Sequence, residues 1–419
     1  MSRRALGVRL VAGALATVAL LGVGAGPARA DLVRDYQYWL TEYGFTTAWN
    51  ESRGAGVTVA VIDTGVVGGV AELQGVVIDG TDVSGIGSPD GQTPVGDESQ
   101  HGTLVASLLA GRGTGPGSGV IGVAPEASLL SASVAFGADT GSPYTNDDQI
   151  AAAVKWSVDH GADVINMSLT RNTPDWPESW DDAFMYAFDH DVVIVAAAGN
   201  RGSGTTQVGA PATIPGVLTV AGVDRDKNAS FDASSQGITI AVAAPSEELV
   251  GVMPDSSLIK WSGTSGATPL VSGLVALVRS KFPDLDANNV INRVISTANP
   301  NGHPVGGPIY GYGLIDPVAA LTAEVPKVTE NPLGSLADWI VLHRRAAGGG
   351  PAEAAPEQIV PIADPPLPRS DSAMTLLPTP WTLAYITVPL SLVAGFGTLA
   401  TLLGIGATRQ FRRAARNRG

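Results

Sequence analysis

The stretch Val59-Ala-Val-Ile-Asp63-Thr-Gly65 is an unbroken apolar run that ends in a carboxylate and a turn pair. Its residues do not alternate between apolar and polar. A strand of this kind is buried on both faces, as in a parallel sheet covered by helices. The run belongs to a longer strand candidate, Val57–Ile62, and similar runs follow at Ser128–Ala135, Asp163–Met167, Val192–Ala197, Val217–Ala221 and Ile238–Ala243. Between them lie segments with helical periodicity, at Gly102–Ala110, Asn146–His160, Ser179–His190, Ser265–Phe282 and Asp286–Thr297. Strands alternating with helices predict an α/β domain with a mostly parallel sheet flanked by helices. Sites in such sheets form at the carboxyl ends of the strands. No internal repeat is visible.

Three further motifs join the first. His101-Gly-Thr103 opens the apolar helix Leu104–Ala110. Ala196-Ala-Ala-Gly-Asn200 closes an apolar strand, and Gly263-Thr-Ser265-Gly-Ala-Thr-Pro269 enters a helix. Taken singly, each polar residue has an ordinary use: Asp63 and Asn200 in turns, His101 and Ser265 at helix caps. Together they supply what peptide hydrolysis by a serine needs, namely a hydroxyl nucleophile, a base, an orienting carboxylate and donors for an oxyanion. An imidazole with a pKa of roughly 6.5 is neutral at pH 7, so His101 can take the proton of Ser265. Asp63 would orient that imidazole. Ser265 stands at a helix start, where free N–H groups favour negative charge. Its own N–H and the Asn200 amide are the expected oxyanion donors.

The chain has 419 residues, 15% charged and 44% hydrophobic, which permits a large core. It has no cysteine, so it has no disulfide, no thiolate metal site and no thiol nucleophile. Its two ends are basic. Residues 1–30 hold four Arg and no acid, and the last eleven residues hold five Arg and no acid. Those nine belong to 25 Lys and Arg in all, which leaves 16 against 39 acids in the middle. An acidic body repels phosphate backbones and is not expected to bind nucleic acid.

Residues 1–30 read as a signal peptide. Arg3, Arg4 and Arg9 precede the apolar run Leu10 to Val23, and Ala28-Arg29-Ala30 has the form of a cleavage site. No charge occurs between Asp371 and Arg409, and residues 381–407 read as one transmembrane helix, with Trp381 and Tyr385 at the outer interface. The tail 408–419, with Arg409, Arg412, Arg413, Arg416 and Arg418, belongs on the cytoplasmic side. The expected arrangement is a single-pass protein of the cell membrane with its body outside. Residues 51–323 would be the catalytic domain and 324–380 a Pro-rich spacer, with Ala346–Gly350 and Asp364-Pro-Pro-Leu-Pro-Arg369 as its plainest parts. Within the spacer, Leu336–Leu342 is apolar enough to dock on the body.

The order Asp63, His101, Ser265 with these flanks resembles the subtilases, from about Trp49 to Ala323. The likeness extends to Gly122-Val-Ala-Pro125, Val164-Ile-Asn-Met-Ser-Leu169 and Gly311-Tyr-Gly-Leu-Ile-Asp316. It implies a subtilisin-like fold and an endopeptidase working through an acyl-enzyme, with peptides or proteins as substrates and no cofactor needed for catalysis. It also implies that Ser168, Leu169 and Thr170 line the substrate cleft and pair with the bound peptide. Ala197, Ala198 and Gly199, in the stretch Ala196–Gly199, would form the other wall of the specificity pocket. The overall layout resembles the mycosins, membrane-anchored subtilases associated with type VII secretion, which implies that secretion complex and its exported substrates as partners. Two other roles remain open at this level: a mainly structural part of a secretion complex, and a general surface protease.

The sequence departs from the family in three places. Gly266 follows the nucleophile where a larger residue is usual, and Thr170 stands where glycine is common. Only 33 residues separate Ala30 from Asp63, too few for a folding propeptide plus a first strand. Residues 31–50 are therefore expected to pack on the body as an extension. No metal-ligand cluster stands out. Asp79, Asp82, Asp90, Asp97 and Glu98 lie in a Gly-rich loop region that either holds structural calcium or is an ordinary solvated acidic loop. His160, His190, His303 and His343 have no matching neighbours.

Overall fold

The computed structural model describes residues 32–344. The candidate signal peptide (1–30), most of the spacer, the candidate membrane helix (381–407) and the basic tail (408–419) lie outside the described residues. Among the described residues no helix is long and apolar enough to cross a membrane.

Seven strands form one sheet: β1 (Thr58–Asp63), β2 (Val77–Asp82), β3 (Ser128–Ser133), β4 (Val164–Met167), β5 (Val193–Ala197), β6 (Leu218–Val223) and β7 (Ile240–Pro245). Their order is β2-β3-β1-β4-β5-β6-β7, and every pairing is parallel. The apolar runs are buried from end to end; no residue of β4, β5, β6 or β7 is exposed. A sheet covered on both faces leaves no side for polar residues, so its strands read as continuous apolar text.

The helices that matter for the site are α4 (His101–Ala110) and α7 (Thr264–Lys281). α7 is buried along nearly its whole length and packs on β4 to β7 and on α4. α5 (Asn146–Asp159) and α6 (Glu178–Asp189) pack on each other, α5 also on β1 and β3, and α6 on β5. α8 (Ala287–Ser296) lies against α7 and β5. A two-stranded antiparallel hairpin, β8 (Leu249–Val252) and β9 (Leu258–Trp261), leads into α7 and packs on α4.

The expected strands and helices are present, with two kinds of difference. The last strand of the sheet starts at Ile240 rather than Ile238, whose side chain is 91% exposed. The expectations also omitted β2 and the hairpin. β2 is an edge strand whose sequence, Val77-Ile-Asp-Gly-Thr-Asp82, carries few apolar residues, and β8 and β9 have only four residues each.

Segments at both ends of the described chain lie on this body. Residues 32–48 form α1 (Leu32–Tyr36), α2 (Tyr38–Glu42) and α3 (Phe45–Ala48), which bury Trp39 and Phe45 completely. Gln37 clamps Ile121 with its side-chain amide, donating to the carbonyl at 2.8 Å and accepting from the N–H at 3.1 Å. Trp49 donates from Nε1 to the Val123 carbonyl at 2.8 Å. After α9 (Pro317–Thr322), α10 (Leu336–His343) buries Leu336 and sets the Trp339 ring 4.3 Å from that of Trp176. Arg344 then pairs with Asp181 of α6 at 2.8 Å.

Candidate active site

β1, β4 and β5 are adjacent and parallel, so their carboxyl ends share one rim of the sheet. Asp63 is the last residue of β1. Ser168, Leu169 and Thr170 follow β4; Ala197 ends β5, with Ala198, Gly199 and Asn200 after it. His101 is the first residue of α4 and Ser265 the second of α7, and both helices pack against that part of the sheet.

The Asp63 carboxylate is 1% exposed and faces the His101 ring, whose Nδ1 lies 2.9 Å from Oδ1 and 3.0 Å from Oδ2. A carboxylate opposite Nδ1 assigns the ring proton to that nitrogen and leaves Nε2 as the acceptor. Burial disfavours the charged imidazole, but the charge of Asp63 and its hydrogen bond, with Glu98 behind them, prevail and raise the His101 pKa above 6.5. Thr64 holds the pair together. Its N–H donates to Asp63 Oδ1 at 2.8 Å, and its hydroxyl donates to the Ser99 carbonyl and accepts from the Gly102 N–H, both at 3.0 Å. This requires close backbone contact: a Cβ at position 102 would lie 2.4 Å from the Gly65 carbonyl oxygen. The Gly in His101-Gly-Thr103 is therefore what lets the helix start sit on the end of β1.

Ser265 is placed from the other side. A residue inside a helix donates its N–H to the carbonyl four residues back, but Pro269 has no N–H. The Ser265 carbonyl is thus free of the helix, and the Ser168 hydroxyl donates to it at 2.8 Å. In return the Ser265 hydroxyl donates to the Ser168 carbonyl at 3.0 Å. Behind Ser168 runs a buried polar chain: Asn166 donates from Nδ2 to Ser168 Oγ at 3.0 Å and accepts from the Ser272 hydroxyl at 2.8 Å. The Ser265 hydroxyl is thus engaged with Ser168, and catalytic hydrogen bonds commonly tighten only with substrate bound.

Asn200 is oriented by its oxygen. Oδ1 accepts from the Thr264 N–H at 2.8 Å and the Thr264 hydroxyl at 2.9 Å. A backbone N–H on one side of the amide identifies that side as oxygen, so Nδ2 points the other way with its hydrogens to donate. The Ser265 N–H, in the first turn of α7, has no carbonyl four residues back within the helix. Two donors are therefore available beside the Ser265 hydroxyl.

The residues expected to line the cleft are at this rim. Leu169, Thr170 and Asn200 are half-buried, whereas Ala197, Ala198 and Gly199 are buried. The Thr170 hydroxyl donates to the Arg171 carbonyl at 3.0 Å. Gly266 has a structural reason: a Cβ there would lie 2.4 Å from Leu249 Cδ1 and within 3.5 Å of the Trp261 ring, so the hairpin occupies the space of a larger residue. Trp261 also meets the His101 ring edge to face, 5.7 Å between centroids. Sequence reasoning did not single out Thr64, Asn166, Thr264, Ser272 or Trp261. Pro269 was the one local signal, because a proline in a helix frees a carbonyl at a known position.

Among the described residues no group of three metal-ligating side chains converges. In the acidic loop, Asp82 accepts from the Ser84 hydroxyl and N–H, the Gly87 N–H and the Ser133 hydroxyl, and Asp90 accepts from the Ser88 hydroxyl and the Gln92 N–H.

The chain has relatives of known family. The subtilase family profile matches residues 54–313. Subtilisin DY of Bacillus licheniformis is 37% identical over 271 residues, 64% of this chain and 92% of that protein. Mycosin-3 of Mycobacterium tuberculosis is 34% identical over 426 residues, 88% of this chain and 81% of that protein. The crystal structure of MycP1 from Mycobacterium smegmatis superposes with a TM-score of 0.58 at 32% identity, covering 73% of this chain and 91% of that one. The structure of the MycP3 protease from the type VII (ESX-3) secretion system gives 0.57 at 33%, covering 72% and 90%. The chain belongs to the subtilase family and is a serine endopeptidase of the subtilisin type, related to the mycosins.

Proposed function

We propose that this endopeptidase works outside the cell membrane, anchored by residues 381–407, and cuts a limited set of exported proteins of a type VII secretion system. The observation that carries the chemistry is the buried Asp63 carboxylate facing His101 Nδ1 on the rim that also holds Ser265. The secretion role rests on the likeness to mycosin-3, which extends over 88% of this chain. The membrane anchor rests on the apolar segment and the arginines after it.

In this reading Ser265 Oγ attacks the scissile carbonyl as its proton passes to His101 Nε2. Asp63 keeps the ring oriented and stabilises the imidazolium that forms. The developing oxyanion accepts hydrogen bonds from Asn200 Nδ2 and the Ser265 N–H. The amine departs with the proton from His101, leaving an ester on Ser265. Water, deprotonated by the same imidazole, then releases the acid. No step as written calls on a cofactor. The rim beside Ser168 to Thr170 would receive the substrate backbone as an added strand.

The test is Ser265→Ala in the full-length protein. Turnover of peptide substrates should fall by several orders of magnitude, to a residual of about 10³–10⁴ over the reaction in water. Cleavage by the variant at the wild-type rate would overturn the assignment.

A further inference from the structure

The match to the family profile ends at residue 313, and the chain beyond it is strapped to the body. Asn289 exchanges two hydrogen bonds with Val328, at 2.8 and 3.0 Å. Gly216 donates to the Leu333 carbonyl at 3.2 Å and accepts from the Asn331 amide at 3.1 Å. α10 then packs on α6 and brings Trp339 and Arg344 to Trp176. The two indole rings lie 4.3 Å apart. Arg344 donates from Nη2 to the Trp176 carbonyl at 2.9 Å and from Nε to the Asp181 carboxylate at 2.8 Å. The Trp176 indole N–H donates to the same carboxylate at 2.7 Å.

Trp176 belongs to the loop 171–177, which runs from Thr170 in the expected cleft wall to the start of α6. It is the one buried residue of that loop; Asn172, Pro174 and Asp175 are exposed. The loop is also tied to the opposite wall. The Arg171 N–H donates to the Ala210 carbonyl at 2.7 Å, and the Ala210 N–H donates to the Thr173 carbonyl at 3.0 Å. The neighbouring Gly209 N–H donates to the Ala198 carbonyl at 3.4 Å, and a Cβ at 209 would overlap the Arg171 carbonyl oxygen. Residues 168–170 and 197–199 are therefore joined through this loop. A segment with few buried contacts has little stability of its own. Here the cover on its single buried side chain is supplied by α10.

We propose that Trp339 and Arg344 are positioning residues for substrate binding. Their docking on Trp176 sets the shape of loop 171–177, and through it the spacing between Ser168–Thr170 and Ala197–Gly199. The planar guanidinium reaches a carboxylate and a carbonyl at once, which an ammonium on a flexible stem does less well. The triad is held by other contacts, those of Thr64, Ser168 and Thr264, so loosening the loop weakens binding rather than chemistry. Anything that lifts α10 off Trp176 then lowers the affinity for peptide. This rests on the protease reading above and adds a determinant of substrate affinity outside the cleft.

The experiment measures KM and kcat separately on a peptide substrate, with the full-length protein. Arg344→Ala and Trp339→Ala should each raise KM by about fivefold and leave kcat unchanged. Ser265 should react with diisopropyl fluorophosphate, a reagent too small to span the cleft, at the wild-type rate. Trp339→Phe keeps a ring on Trp176 and should return KM towards the wild type. Arg344→Lys should fall between Arg344→Ala and the wild type, and it stands in if the alanine variant does not fold. A wild-type KM in these variants, even with a lower melting temperature, overturns the inference, because α10 then contributes stability alone. A loss of kcat and of reaction with the reagent also overturns it, because the nucleophile itself has moved. Absence of Ser265-dependent cleavage in the wild type overturns the protease reading and this inference with it.

Discussion

The two helices that begin in the site are capped differently from four that begin elsewhere. α5, α8, α9 and α10 are each capped by the residue just before them: Thr145, Asp286, Asp316 and Ser335 accept from a backbone N–H three residues on. The residues before α4 and α7, Gln100 and Gly263, offer no side-chain cap. There the caps come from distant strand ends: Thr64 after β1 takes the Gly102 N–H, and Asn200 after β5 takes the Thr264 N–H. A local cap starts a helix. A cap from another element also fixes where that helix start sits relative to the strand that supplies it. His101 and Ser265 occupy the first turns of the two helices fixed in this way.

The strongest way to break the comparison is at Asn200, which caps α7 and is the proposed amide donor of the site. Asn200→Asp keeps an oxygen for the Thr264 N–H but has no amide N–H to offer. Turnover should fall by about 10²–10³, the magnitude found for an oxyanion donor in a related subtilisin, while the melting temperature stays near wild type. Asn200→Ala should lose turnover as much and also cost about 1 kcal/mol of stability through the cap. If the two variants melt alike, the distant cap does not support the helix. Next is the carbonyl freed by Pro269. Ser168→Ala leaves it without its donor and should cost about 1–3 kcal/mol in denaturant unfolding. Pro269→Ala restores a helical N–H four residues on, so adding it to Ser168→Ala should recover part of that loss. Purely additive effects would refute the coupling.

Smaller effects distinguish the two kinds of helix start further. Activity should rise with pH as His101 gives up its proton, with a midpoint above the ordinary 6.5 because its folded pKa is raised. Removing the charge behind it in Glu98→Gln makes the imidazolium less favourable. The midpoint of kcat/KM against pH should then move down; an upward shift would contradict the assigned cause. The least change in activity should come from Thr145→Ala. Loss of this local cap should cost about 1 kcal/mol of stability and leave kcat/KM unchanged.

The parts legible in the sequence were those in which one segment decides its own fate. β1 and β3 to β7 announce themselves because burial on both faces demands apolar runs. The local caps, such as Asp286 before α8, can likewise be read from residue order. Asp63, His101, Asn200 and Ser265 were legible because each stands at a fixed place beside such a run. The edge strand β2 was not, since Asp79, Gly80 and Asp82 face little core. Nor was the hairpin, which turns through Ser256 at φ +67° with strands too short to show a period. The caps supplied by Thr64 and Asn200 cross 38 and 64 residues of sequence, and no local pattern encodes them.

Asn166 has a consequence of another kind. It lies in the middle of the sheet with no solvent exposure, yet through Ser168 it reaches the carbonyl of Ser265. Val, Leu or Ile would suit the interior there and would cut that line. A screen for lost activity would therefore return positions such as 166 and 272 alongside those that touch peptide, and a screen for thermal survival could pass over them. Depth below the surface is a poor guide to which residues selection on catalysis would see.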